Sequence, residues 1–251
     1  MKRYSDYAHS SISMSTDELF IKALDELFKH NKISYLFESG TYIGTGSTTT
    51  LAEALIRNKV PVEQFITVEA DYKFNRFARK NLSRFPFVTP LWGLTVDINE
   101  AKEFLENDEA IANHENYPDI FIDYTDNPQL HYLTELNGKL SKYHIRQNFF
   151  QRLRNKFRFS KFHHHVFGSY LMAMKDKKPL ILLDSAGGIG YLEFNKVRGI
   201  MGNNDYVLIL DDINHLKHFR SYRDVKACPD FTILHDNIEQ GWLIAKHSKK
   251  G

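Results

Sequence analysis

Residues that could do chemistry cluster at a few places in this chain. Residues 38 to 47 read Glu-Ser-Gly-Thr-Tyr-Ile-Gly-Thr-Gly-Ser. Glycines at 40, 44 and 46 let the backbone turn sharply and approach a ligand without a Cβ, and free amides at the start of a following helix face whatever binds. The order is acid-x-Gly-x-x-x-Gly-x-Gly. The pyrophosphate fingerprint is Gly-x-Gly-x-x-Gly, so an acid opening this loop suits a cationic or zwitterionic ligand instead. Glu69 ends the apolar run Phe65-Ile-Thr-Val68, roughly twenty residues beyond the last glycine, where a carboxylate accepts from both hydroxyls of a ribose. Asp184 ends one later apolar run, and Asp211 with Asp212 ends another.

The elements that must position these groups alternate along the chain. Ser15-Thr-Asp-Glu18 reads as a capping box, with Leu19, Phe20, Ala23, Leu24, Leu27 and Phe28 on one helical face. Ile33 to Phe37 is a strand, and the loop runs into a helix over Thr48 to Arg57. A helix over Tyr72 to Leu82 follows the second strand, then a strand over Phe87 to Trp92 weakened by Pro90, then a helix over Glu100 to Glu106. Pro179 to Asp184 and Tyr206 to Asp211 have the short apolar form of buried parallel strands. Phe231 to Leu234 and Trp242 to Ala245 are linked too tightly for a helical crossover and predict an antiparallel hairpin.

In open α/β sheets ligands sit beyond the carboxyl ends of the strands. Adjacent strand tips lie about 5 Å apart, so Asp184, Asp211 and Asp212 can converge on one hard divalent cation. An all-oxygen shell favours Mg²⁺ and also accepts Mn²⁺. The other reading is that Asp212 caps a helix beginning at Ile213 and Asp184 is a turn residue. His215 is the nearest candidate general base, although a histidine on a first helical turn also serves as a packing residue. Lys217 and Arg220 either meet a phosphate on a substrate or form a solvated helix face. Gly187-Gly-Ile-Gly190 admits a ligand close to the backbone, or is simply a strand-to-helix turn.

The acid-and-glycine loop followed by Glu69 resembles the class I methyltransferases that use S-adenosylmethionine. The resemblance implies an α/β fold: a Rossmann-like, seven-stranded, mostly parallel sheet closed by the C-terminal antiparallel hairpin. It implies that Glu38, Gly40, Tyr42, Gly44, Gly46 and Ser47 hold the amino acid half of the donor and Glu69 the ribose. Asp184, Asp211 and Asp212 match the acid after the fourth strand and the acidic pair after the fifth in metal-dependent O-methyltransferases of the catechol, macrolide-sugar and aminocoumarin-sugar types. In that family a metal chelates the acceptor hydroxyl, and a lysine or second acid near the fourth-strand acid takes the proton. Here Ser185-Ala-Gly-Gly-Ile-Gly190 follows instead, leaving His215 and Asp212 as the catalytic candidates.

The composition of the 251 residues fits one domain, 1–251, with residues 107–178 as a helical insertion or lid between the third and fourth strands. Its first part, Tyr117 to Tyr124, is aromatic and reads as a strand or lid segment. From Leu136 to Lys175 it lacks acids, while Lys142, Arg146, Arg152, Arg154, Lys156, Arg158 and Lys161 accumulate beside an apolar face of Ile145, Phe149, Leu153 and Phe157. Such a surface suits a phosphorylated or nucleotide-linked small-molecule acceptor, an RNA backbone, an acidic membrane surface or simply solvent. His163-His-His165 cannot chelate as one unit, because neighbouring side chains point apart; surface or interface use is expected.

A formal net charge of +2 demands no polyanionic partner, and DNA is not expected. Cys228, the single cysteine, excludes a disulfide framework and a cysteine zinc site. Met1-Lys-Arg-Tyr-Ser-Asp6 lacks a signal peptide's apolar core and no run reaches membrane-spanning length, so a cytoplasmic protein is expected. A homodimer is compatible with the sequence. The leading expectation is a metal-assisted O-methyltransferase acting on a sugar-like or phosphorylated metabolite, such as one used in surface polysaccharide synthesis. The alternatives are an RNA methyltransferase using the basic insertion and a donor-fold binding or scaffold protein without turnover.

Overall fold

The computed structural model describes residues 13–123, 126–141, 160–185 and 188–249. Among them seven strands form one sheet: β1 Tyr35–Ser39, β2 Gln64–Glu69, β3 Val88–Trp92, β4 Leu180–Leu183, β5 Tyr206–Leu210, β6 Phe231–Asn237 and β7 Trp242–His247. Their order is β3-β2-β1-β4-β5-β7-β6. The first five are parallel, and β7 enters antiparallel between β5 and β6. This is the arrangement expected from the sequence. Pro90 is tolerated because β3 is an edge strand, where a missing N–H costs no ladder bond on the open side.

Side chains alternate between two cores. Leu36, Leu182 and Ile209 face helices α2 Glu18–His30 and α3 Ser47–Arg57 with Phe20, Leu24, Leu51 and Leu55. Phe37, Leu183 and Leu208 face the other layer, built on α5 Ile98–Asn107, α9 Gly190–Met201 and α10 Phe219–Ala227 with Leu105, Phe194 and Phe219. Both faces of the central strands are dry, which is why these strands read as unbroken apolar runs rather than alternating ones.

The helix start differs from the expected capping box. Ser15 lies in a separate turn, α1 Ser13–Thr16, and Asp17 caps α2 by accepting from the amides of Leu19 at 2.8 Å and Phe20 at 3.4 Å. The other Asp17 oxygen accepts from Trp242 Nε1 at 2.6 Å, tying the helix to β7. Leu19 is exposed, outside the buried face. Helix α4 Tyr72–Asn81 starts at its own aspartate cap, Asp71.

No helix begins at Ile213. Phe121 donates its amide to Asn214 O at 2.9 Å and accepts from Leu216 N at 2.9 Å. Those bonds consume the backbone groups a helix would need, so residues 213–218 form turns and α10 starts only at Phe219. Between β3 and β4, α6 Glu109–Ala112, α7 Pro128–Ser141, a π-helical turn Phe167–Leu171 and α8 Met172–Met174 pack on the second core through Tyr132, Leu136, Phe167 and Leu171. His163 pairs its backbone with Trp92 and Leu94, prolonging the β3 edge, while His164 and His165 are exposed. The basic and apolar residues expected between Lys142 and Arg158 lie outside the described residues, as do Met1–Asp6, Tyr124 and Gly187.

Candidate functional site

The glycine loop leaves β1 at Gly40, whose φ of +86° and lack of a side chain are both required: a Cβ there would lie 2.0 Å from the Asp184 carbonyl oxygen. Val68 O accepts from the amides of Gly40 and Thr41, at 3.0 and 3.1 Å. Glu38 does not face a ligand. It is the penultimate residue of β1, fully buried, and accepts from Ser47 Oγ at 2.7 Å, Thr48 Oγ1 at 2.6 Å and Thr67 Oγ1 at 2.6 Å. Burial pushes its carboxyl up to about 7 against the opposing pull of those hydroxyls. Its place is beneath the loop, fastening the start of α3 to β1 and β2. Gly44 is also away from the cavity, packed against Leu82.

Glu69, the last residue of β2, accepts from Tyr42 N at 2.8 Å on one oxygen and Asp71 N at 2.6 Å on the other. The two amides fix the group at the wall of the cavity it lines.

At the tips of β4 and β5, ligand atoms of Asp184, Asp211 and Asp212 lie within 4.8 Å of one another. Lys217 joins them, a residue the sequence assigned to a phosphate or a solvated face. Its Nζ is 3.1 Å from Asp184 Oδ1 and 2.7 Å from Asp212 Oδ2, and the residue is buried. Burial works against its charge, but Asp184 and Asp212 outweigh burial and hold the ammonium well above the ordinary lysine value. Burial, then Asp184 and Asp212, drive the Asp211 carboxyl well above the usual range. With Asp211 driven toward its neutral form, Asp184 and Asp212 share the Lys217 ammonium, and an all-oxygen set of this kind fits a hard divalent cation, whose charge would favour all three in the ionised form.

His215 lines the same cavity but its ring is engaged. Nδ1 accepts from Lys217 N at 3.2 Å, which places the ring proton on Nε2, and Nε2 lies 3.3 Å from Asp123 Oδ2 outside good hydrogen-bond geometry. In that tautomer no ring lone pair is open to a substrate proton, so the expected base is not supported. Arg220 is taken by Asp108, with NH1 and NH2 donating at 2.7 and 2.8 Å, and its guanidinium lies over Tyr191. Neither Lys217 nor Arg220 is set to receive a phosphate.

One cavity of about 550 Å³ connects these groups. Of the expected site residues, Gly40, Tyr42, Gly46, Ser47, Glu69, Asp184, Asp211, Asp212 and His215 line it; Glu38 and Gly44 do not. Glu193 also lines it, and no motif pointed there. This first-turn residue of α9 is fully buried and accepts from Ser39, Thr95 and Ser185 hydroxyls. Burial raises its carboxyl and the hydroxyls oppose the rise. The signal available in the sequence was weak: a lone acid shortly after a strand-to-helix turn.

No protein-family model matches the chain, and no curated protein matches its sequence. Solved structures do resemble it. An O-methyltransferase from Bacillus cereus in complex with SAH is 14% identical, with 97% of this chain and 94% of that one covered and a TM-score of 0.47. A provisionally named caffeoyl-CoA O-methyltransferase from Staphylococcus aureus is 15% identical, covering 93% and 85%, with a TM-score of 0.49. The SAH-bound Podospora anserina methyltransferase is 13% identical, covering 94% and 81%, with a TM-score of 0.44. The chain's own strand order, five parallel strands with β7 inserted antiparallel before β6, makes its fold the Rossmann-like α/β sheet that the glycine-loop resemblance implied.

Proposed function

We propose that the protein is an S-adenosylmethionine-dependent O-methyltransferase whose acidic cluster takes a divalent cation, Mg²⁺ or Mn²⁺. The observation that carries the reading is a shared cavity: Glu69 at the tip of β2, the glycine loop at β1, and Asp184, Asp211 and Asp212 at β4 and β5 all open into it. Read across the sheet, a ribose on Glu69 sends the amino acid end of the donor past β1, with the sulfonium facing the acids.

The reaction is a displacement. An acceptor oxygen attacks the sulfonium methyl, the carbon–sulfur bond breaks, and the acceptor loses its proton. Holding oxygen and methyl in line supplies much of the rate. A cation held by Asp184, Asp211 and Asp212 would supply Lewis acidity toward the acceptor oxygen. Lys217 anchors Asp184 and Asp212 through its ammonium. Lys217 keeps its proton between those acids, which leaves the Asp212 carboxylate, held ionised against burial by the Lys217 ammonium, as the base to receive the acceptor proton.

The acceptor class is narrowed by charge. The described lining carries Glu69, Asp123, Glu135, Asp184, Glu193, Asp211 and Asp212 against one lysine. A neutral, sugar-like hydroxyl acceptor suits that wall better than a phosphorylated one. Asp123, Glu135 and Leu136 come from residues 107–178, so the insertion forms the acceptor side of the site.

The test is isothermal titration with S-adenosylmethionine and S-adenosylhomocysteine, with and without Mg²⁺, and NAD as control. Micromolar binding of the two sulfur ligands and none of NAD is expected. Asp211→Ala should keep donor binding and lose the response to Mg²⁺; methylation by that variant in excess chelator would remove the cation from the reading. Absence of binding by either sulfur ligand would make the loop purely architectural.

A further inference from the structure

Glu193 carries an inference about how the donor is recognised, and it rests on the methyltransferase reading above. Its Oε2 accepts from Ser39 Oγ at 3.2 Å and Ser185 Oγ at 2.5 Å, and its Oε1 accepts from Thr95 Oγ1. These hydroxyls come from three places far apart in sequence: the last residue of β1, the segment after β3 and the loop after β4. All three residues and Glu193 itself line the cavity.

A hydroxyl has one proton, and here each proton is turned onto the carboxylate. The oxygens left toward the cavity therefore only accept. Ser39 Oγ also receives the Asp184 amide at 3.3 Å. The nearest loop amides are not available to offset this, since Gly40 and Thr41 donate to Val68 O and Tyr42 donates to Glu69. The result is a buried patch of acceptors around a carboxylate. It repels carboxylates and phosphates, and it matches an ammonium, which has three donors and no acceptor.

The patch lies by the tips of β1 and β4, one and two strands from the Glu69 tip. With the ribose on Glu69, that is where the amino acid end of S-adenosylmethionine falls. We propose that Glu193, with Ser39, Thr95 and Ser185, binds the α-ammonium of the donor. This is the role the sequence assigned to Glu38, which lies beneath the loop and does not line the cavity.

The experiment is titration of wild type, Glu193→Gln and Ser185→Ala with S-adenosylhomocysteine and with its deaminated analogue, in which hydrogen replaces the α-amino group. Wild type should prefer the amine by about 10- to 100-fold, the worth of a buried charge-assisted contact. Glu193→Gln should lose most of that preference while binding the deaminated analogue as wild type does. Ser185→Ala, which keeps the carboxylate and is a mild change, should reduce the preference by about fivefold, and it reads out the same patch should Glu193→Gln not fold. A Glu193→Gln protein that keeps the full preference, or weakens both ligands equally, would overturn the assignment, as would an unchanged preference in Ser185→Ala. Failure of wild type to bind either compound would instead overturn the donor reading on which it rests.

Discussion

Glu38 sets burial against hydrogen bonding in one measurable sign. Three hydroxyls donate to its carboxylate, which alone would favour the charged form and lower its pKa. Complete burial opposes them and prevails, taking the carboxyl from 4.5 to about 7. A group whose pKa is higher folded than unfolded binds protons more tightly when folded. Its contribution to stability is therefore complete below the unfolded value and is lost as pH rises through the folded one. For a shift from 4.5 to about 7, the full contribution is about 3.4 kcal/mol, of which about 2.5 kcal/mol disappears between pH 5 and pH 8.

Glu38→Gln removes the titration while keeping the shape. Urea denaturation of both proteins at half-unit intervals from pH 5 to pH 8 isolates the difference, since other groups titrate alike in each. Wild type should lose about 2.5 kcal/mol relative to the variant across that interval, most steeply near pH 6, and level off above pH 7.5. A difference that stays flat, or one in which wild type gains on the variant as pH rises, would show that the hydroxyls dominate and that the group is ionised throughout.

Glu69→Ala should weaken S-adenosylmethionine binding about thirtyfold, or about 2 kcal/mol; unchanged affinity by calorimetry would remove Glu69 from the donor site. Lys217→Met should cost about 3 kcal/mol of stability by stripping the acids of their ammonium, and added Mg²⁺ should recover more melting temperature in the variant than in wild type. Equal Mg²⁺ responses would mean that lysine and cation do not share the cluster. Gly40→Ala forces a left-handed backbone and a clash with the Asp184 carbonyl, and should lose about 3 kcal/mol or more together with donor binding. A melting temperature within 2 °C of wild type, about the shift from half a kcal/mol, would refute the close approach.

The strands were legible because Leu180 to Leu183 and Tyr206 to Leu210 are buried on both faces, so their runs are apolar without interruption. Glu69 was legible for a local reason too, being the charged end of such a run. What escaped was set by contacts distant in sequence. Phe121 takes the backbone of residues 214–216, turning an expected helix into turns. Lys217 finds Asp184 from 33 residues away, and Glu193 finds Thr95 from 98. An isolated lysine or glutamate in a polar stretch carries no periodic mark of such a partner. Glu38 shows the reverse error: its motif position suggested a ligand, but Ser47, Thr48 and Thr67 hold it beneath the loop, outside the cavity.

The insertion of β7 between β5 and β6 has a consequence for the order in which the sheet is completed. A nascent chain that ends before Trp242 has five parallel strands in hand, but β5 then presents an unpaired backbone edge of entirely buried residues, and β6 has no strand to join. Such an edge templates pairing with other chains. The arrival of six residues, Trp242–His247, closes it, and the Trp242 indole fastens the newest strand to Asp17, the cap of helix α2. Ribosome-stalled chains that expose residues only as far as Gly241 beyond the exit tunnel should therefore be sensitive to protease and prone to self-association, and chains that expose His247 should not.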